Sequence, residues 1–201
     1  MRIFLQYIVP AILLLIPIRQ FKGEYFYYFL FTGLDDGITT FILRDFLNTN
    51  SNSFYISFGL LTLFFLLNKE IFKKYILFFG AIFIVTSIID WNVLLPVYNI
   101  YLTGLIHLLI FLLLLQRLII GLIIDRKFYL FLFLIIFCEL TTISKYITII
   151  SGISGSYTFF YTTTIFETFI GIIFLIFRED NPLLIFNLNN DLLVESKKEI
   201  K

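Results

Sequence analysis

Seven apolar runs, each parted from the next by a short polar cluster, organise the chain. They cover residues 3–18, 25–43, 54–67, 75–95, 100 to at least 115, 128–147 and 157–177. A helix that crosses a bilayer needs about 20 mostly apolar residues, so the pattern predicts seven transmembrane helices. The third run is short unless residues 51–53 join it, and the second is interrupted by Asp35 and Asp36. The first reads as a retained helix rather than a signal peptide, because Pro10, Pro17, Arg19 and Lys22 follow its start and no small-residue cleavage pattern is present. Pro10 is expected to kink its outer half, which a membrane helix tolerates.

The basic residues orient these spans, since cytoplasmic loops retain Lys and Arg. With the N-terminus outside, twelve of the fifteen basic residues fall on the inner side and only Arg2, Arg44 and Lys145 on the outer side. The predicted topology is N-terminus out and C-terminus in. Residues 1–178 then form a single seven-helix membrane domain, and residues 179–201 a short cytoplasmic tail whose leucine spacing predicts an amphipathic stretch on the membrane surface or against a partner.

Composition agrees with the pattern. Of the 201 residues 60% are hydrophobic and 14% charged, against about 25% charged in a soluble domain, and the mean hydropathy is +0.97. The fold class expected is therefore an all-α polytopic membrane protein, its partner the lipid bilayer. A net charge of +1 leaves no electrostatic footprint for nucleic acid. The lone cysteine, Cys138, excludes an internal disulfide framework, and the lone histidine, His107, excludes sites built on several imidazoles. No cofactor or metal is expected. The abundance of Phe, Ile, Tyr, Asn and Lys points to an AT-rich genome, and the localisation expected is a bacterial cytoplasmic membrane or an organellar inner membrane.

An internal match supports a finer organisation. Residues 26–40 align with residues 128–142 at an offset of 102, with seven identities in fifteen, among them Phe26, Tyr27, Phe29, Thr39 and Thr40. The expected arrangement is a 3+1+3 parallel repeat, units 1–70 and 100–178 joined by a linker helix at 75–95. In helix count, orientation and linker helix this resembles the SWEET transporters. The Pro-Gln pair of the wider PQ-loop relatives is absent, Pro10 being followed by Ala11 and Pro17 by Ile18. The resemblance is one of architecture.

Ionisable side chains inside hydrocarbon cost at least about 2.5–3.5 kcal/mol each on the insertion scale. Counting along each span places Asp35, Asp36, Glu139 and Glu167 near the midplane, with His107 a little above them. The repeat brings Asp36 and Glu139 within one position of each other, each followed by a threonine pair. Thr40 and Thr142 could add hydroxyl contacts. The candidate ion or substrate pathway is therefore Asp35, Asp36, His107, Glu139, Glu167, Thr40 and Thr142. Lys145 is expected to snorkel outward, Asp90, Trp91 and Asn92 to form an interfacial anchor, and the Thr162–Thr164 run to face partly into the bundle.

These residues leave three readings open. The first is a small transporter or a proton- or cation-translocating bundle using the midplane carboxylates. The second is a non-catalytic membrane subunit or sensor that works through other membrane subunits or self-association. The third, an intramembrane enzyme, is the poorest match, because zinc hydrolases need more than one His and no G-x-S-x-G context surrounds any serine.

Overall fold

The computed structural model describes residues 2–44, 52–88, 98–152 and 156–188. Eight α-helices are present among them. They are α1 (Arg2–Arg19), α2 (Phe26–Gly37), α3 (Asn52–Leu67), α4 (Lys69–Lys74), α5 (Ile76–Ile88), α6 (Asn99–Ile123), α7 (Leu130–Ser151) and α8 (Ser156–Ile176). A π-helical segment, Ile38–Arg44, continues α2. Three helices are long and apolar enough to cross a membrane, namely α6, α7 and residues 158–176 of α8; α1, α3 and α5 are apolar but shorter. Predominantly helical structure matches the expected class, while the count of seven spans exceeds what these lengths establish.

Several boundaries differ from the pattern for physical reasons. The third run gains Asn52 and Ser53, whose polar side chains do not stop a helix. The fifth extends to Ile123 and carries Arg117 within it, because Arg117 is used by its neighbours: Nη2 donates to Leu66 O at 2.7 Å and Nη1 to Glu24 Oε1 at 3.3 Å. The fourth is preceded by a separate turn, α4, capped by Asn68 through its acceptance of the Ile71 N–H. Phe72 anchors that turn, 2% exposed, its ring 5.0 Å from Phe79 and 5.8 Å from Phe65. Asp90, Trp91 and Asn92 lie outside the described residues.

The described part of the segment after α8 ends at residue 188, and the rest of the expected amphipathic stretch lies outside the described residues. A 3-10 turn at Pro182–Leu184 leads into strand β2 (Ile185–Asn187), which pairs antiparallel with β1 (Lys127–Tyr129) just ahead of α7. Consequently α7 begins at Leu130 rather than Phe128.

Six helices close a ring. α1 packs against α2 and α8, α2 against α3, α3 against α6, α6 against α7, and α7 against α8. α5 leans on α3 from outside and buries none of its residues. Close approach of α1 and α2 depends on glycine: a Cβ on Gly33 would stand 2.4 Å from Leu13 O, and one on Gly37 2.7 Å from the Leu14 side chain. Phe29, Phe131 and Phe174 join α2, α7 and α8, with ring centroids 4.8–5.9 Å apart. Aromatic contacts of this kind, two of them edge-to-face and one tilted, add stabilisation beyond area burial.

The ends of α1, α2 and α8 are clasped together. Gln20, fully buried, donates to Phe174 O and Phe177 O at 2.7 and 2.8 Å and accepts the Glu179 N–H at 3.3 Å. Tyr25 at the start of α2 provides no side-chain cap. The Glu179 carboxylate instead accepts the backbone N–H groups of Glu24 and Tyr25, at the N-cap and just ahead of it. An anion at a helix N-terminus meets both the unsatisfied donors and the positive end of the helix dipole.

Candidate functional site

The ring encloses a cavity of about 450 Å³ to which each of its six helices contributes. Its polar lining is set by helical periodicity. Residues 28, 32, 35 and 36 of α2, 99, 103 and 107 of α6, and 139, 142, 145 and 146 of α7 recur at spacings that keep them on one inward face. Glu167 of α8 and Tyr55 of α3 complete it.

Among the described residues Glu139 is the most enclosed acid, 2% exposed. Its Oε1 accepts the Tyr28 hydroxyl at 2.6 Å, and its Oε2 stands 2.9 Å from His107 Nδ1. A carboxylate is acceptor-only when ionised, so in that form the contact is made by an imidazole with its proton on Nδ1. The imidazole is further held by stacking on Tyr146, with centroids 5.6 Å apart and planes at 25°. Glu167 has its own set, an ion pair with Lys145 and the Thr141 hydroxyl donating to Oε1 at 2.7 Å. Charge-assisted contacts of this kind are what a buried carboxylate requires.

Asp35 and Asp36 are placed differently. Both line the cavity, yet no described Lys, Arg or His pairs with either. Asp35 is 9% exposed, and its Oδ1 is buried with no hydrogen-bond partner. They sit between Gly33 and Gly37, directly ahead of the π-helical segment. There the Thr39 hydroxyl donates to Asp35 O at 2.6 Å, so the local helix distortion is held by side-chain bonding to the backbone.

Six of the seven candidates from the sequence are therefore brought around one cavity: Asp35, Asp36, His107, Glu139, Glu167 and Thr142. Thr40 is buried but does not line it. Lys145 does not snorkel outward as expected; it turns inward because Glu167, on the neighbouring helix, offers an anion within reach. Tyr28, Tyr146 and Lys145 were missed by the sequence reading, although their spacing from Asp35, Glu139 and Thr142 carried the signal. Of the threonine run, Thr163 is buried and bonds only to carbonyls of its own helix, Phe159 and Phe160. No protein family model, curated protein or solved structure matches the chain.

Proposed function

We propose that the chain is a small membrane transporter, a bundle that translocates protons or a cationic solute through this cavity. The observation that carries the reading is the charge balance. Glu139 and Glu167 bond to His107 and Lys145, whereas no described Lys, Arg or His stands within ion-pair distance of Asp35 or Asp36, and Asp35 Oδ1 is buried with no hydrogen-bond partner. A buried carboxylate without a partner is strongly disfavoured, so the site is completed by a proton or by a positively charged guest. The volume falls within the range of about 300–1,000 Å³ typical of small-molecule sites, and ionisable groups at membrane depth mark ion and substrate paths.

The reading includes seven spans with the N-terminus outside and a 3+1+3 organisation. Its support is the packing order: α1, α2 and α3 run on to α6, α7 and α8 around the ring, with α5 outside it, the order two three-helix units related by a two-fold axis would take. Uptake or proton flux in liposomes tests the function. Asp36→Asn and Glu139→Gln should each reduce flux at least tenfold, and unchanged flux in both would remove these carboxylates from the mechanism.

A further inference from the structure

A second concavity, of about 520 Å³, lies where α1 ends, lined by Leu15, Ile18, Arg19, Phe21, Lys22 and Arg178. Three of its six residues are cationic and none is acidic. The other three are apolar yet open to the surroundings, Leu15 at 51%, Ile18 at 73% and Phe21 at 58% exposure. Among the described residues the cations have few protein partners. Lys22 is exposed and meets only the face of Phe21, 5.7 Å from its centroid. Arg19 spends one amino group on Ile176 O at 3.1 Å. Arg178 Nε makes no hydrogen bond and stands 3.5 Å from the exposed carboxylate of Asp180. The Glu179 carboxylate, next along the chain from Arg178, is occupied by the N-terminus of α2.

We propose that this surface binds the phosphodiester headgroup of an anionic membrane lipid. Its two halves match the two halves of such a molecule. Arg19, Lys22 and Arg178 converge as phosphate donors at the end of the bundle, and Leu15, Ile18 and Phe21 offer the adjoining helix surface to an acyl chain. A free phosphate would leave that apolar surface unused, and a zwitterionic lipid would bring a cation of its own into the triad. Basic pockets at the cytoplasmic ends of membrane helices recognise anionic headgroups by the same chemistry, and guanidinium groups suit phosphate because they donate two bonds at once. The site shares no lining residue with the acidic cavity and stands whether or not the transport reading does.

The test is native mass spectrometry of the full chain in neutral detergent, titrated with phosphatidylglycerol or phosphatidylcholine. Phosphatidylglycerol should be retained preferentially. Lys22→Gln should weaken it about fivefold and Lys22→Gln with Arg178→Gln about thirtyfold, while Lys73→Gln with Lys74→Gln, an equal loss of charge on α4, should leave it unchanged. Inorganic phosphate in millimolar excess should not displace the lipid. Equal retention of the two lipids, equal loss in the α4 variant, or displacement by phosphate would each overturn the proposal. Lys22 is exposed and bonds to no other element, so its variant reads the site even if Arg178→Gln fails to fold.

Discussion

His107 Nδ1 lies 2.9 Å from Glu139 Oε2, joining α6 to α7 across 32 residues of sequence at a point where the carboxylate is 3% exposed. Removing one partner of a buried hydrogen bond leaves the other unsatisfied, at a cost of about 1–3 kcal/mol and more where the remaining group is charged. His107→Ala should therefore destabilise the bundle severely. Glu139→Gln should cost less, because the amide oxygen still accepts from Tyr28. Thermal unfolding in detergent, run as a double-mutant cycle with His107→Ala and Glu139→Gln, should return a coupling of about 1–3 kcal/mol. A coupling near zero would mean that the two side chains do not support each other.

Asp35 should behave in the opposite sense. Its Oδ1 is buried without a partner, so Asp35→Asn keeps the shape and removes a group whose ionised form that atom leaves unsatisfied. Relief of about 1–3 kcal/mol is expected, seen as a higher unfolding temperature, together with loss of cation or proton flux. Gain of stability with loss of activity is the signature of a residue retained for function rather than for folding. A destabilised Asp35→Asn protein would place this carboxylate in the structural network instead.

Glu179 offers a test of the clasp. Its carboxylate receives two backbone N–H groups at the start of α2, and a cap of this kind contributes about 0.5–2 kcal/mol. Glu179→Ala should lower stability by that amount and Glu179→Gln by less, since the amide oxygen still accepts one bond. Hydrogen exchange at Glu24 and Tyr25 should quicken in both variants, more in Glu179→Ala. Unaltered exchange would mean that solvent caps α2 as well as Glu179 does.

The helical class, the three long apolar helices and the acids were legible in the sequence because all report a single quantity, the cost of leaving polar groups in an apolar setting. Asp35, Asp36, Glu139 and Glu167 are exceptions in long apolar runs, and exceptions stand out in a list of residues. Lys145 was misread because its position near a helix end fits snorkelling equally well, and only the packing of α7 against α8 brings Glu167 within its reach. Tyr28 was hidden among other aromatic residues, since the feature that distinguishes it is its hydroxyl bond to a helix distant in sequence. Strand β2 escaped because its apolar spacing in residues 185–187 suits a helix as well, and its pairing partner lies near residue 128. The glycine contact between α1 and α2 was written in plain view as Gly33 and Gly37, four residues apart.

That glycine pair makes the sharpest prediction. A methyl group on Gly33 would lie 2.4 Å from Leu13 O and 2.9 Å from Leu13 C, which are backbone atoms with no rotamer to relieve the clash. Small residues at this spacing let helix backbones approach closely in membranes. Gly33→Ala should force α1 from α2, disturb the cavity wall that Asp35 and Asp36 share with it, and lower stability by more than the about 1–3 kcal/mol typical of overpacking against movable side chains. Gly37→Ala meets only the Leu14 side chain at 2.7 Å and should fall within that range. Gly80→Ala, on the open face of α5 with nothing within 4 Å of the added carbon, should be neutral or mildly stabilising through helix propensity. The ranking is read from unfolding temperatures of the three variants in one detergent. A Gly33→Ala protein as stable as Gly80→Ala would mean that α1 and α2 do not approach at Leu13.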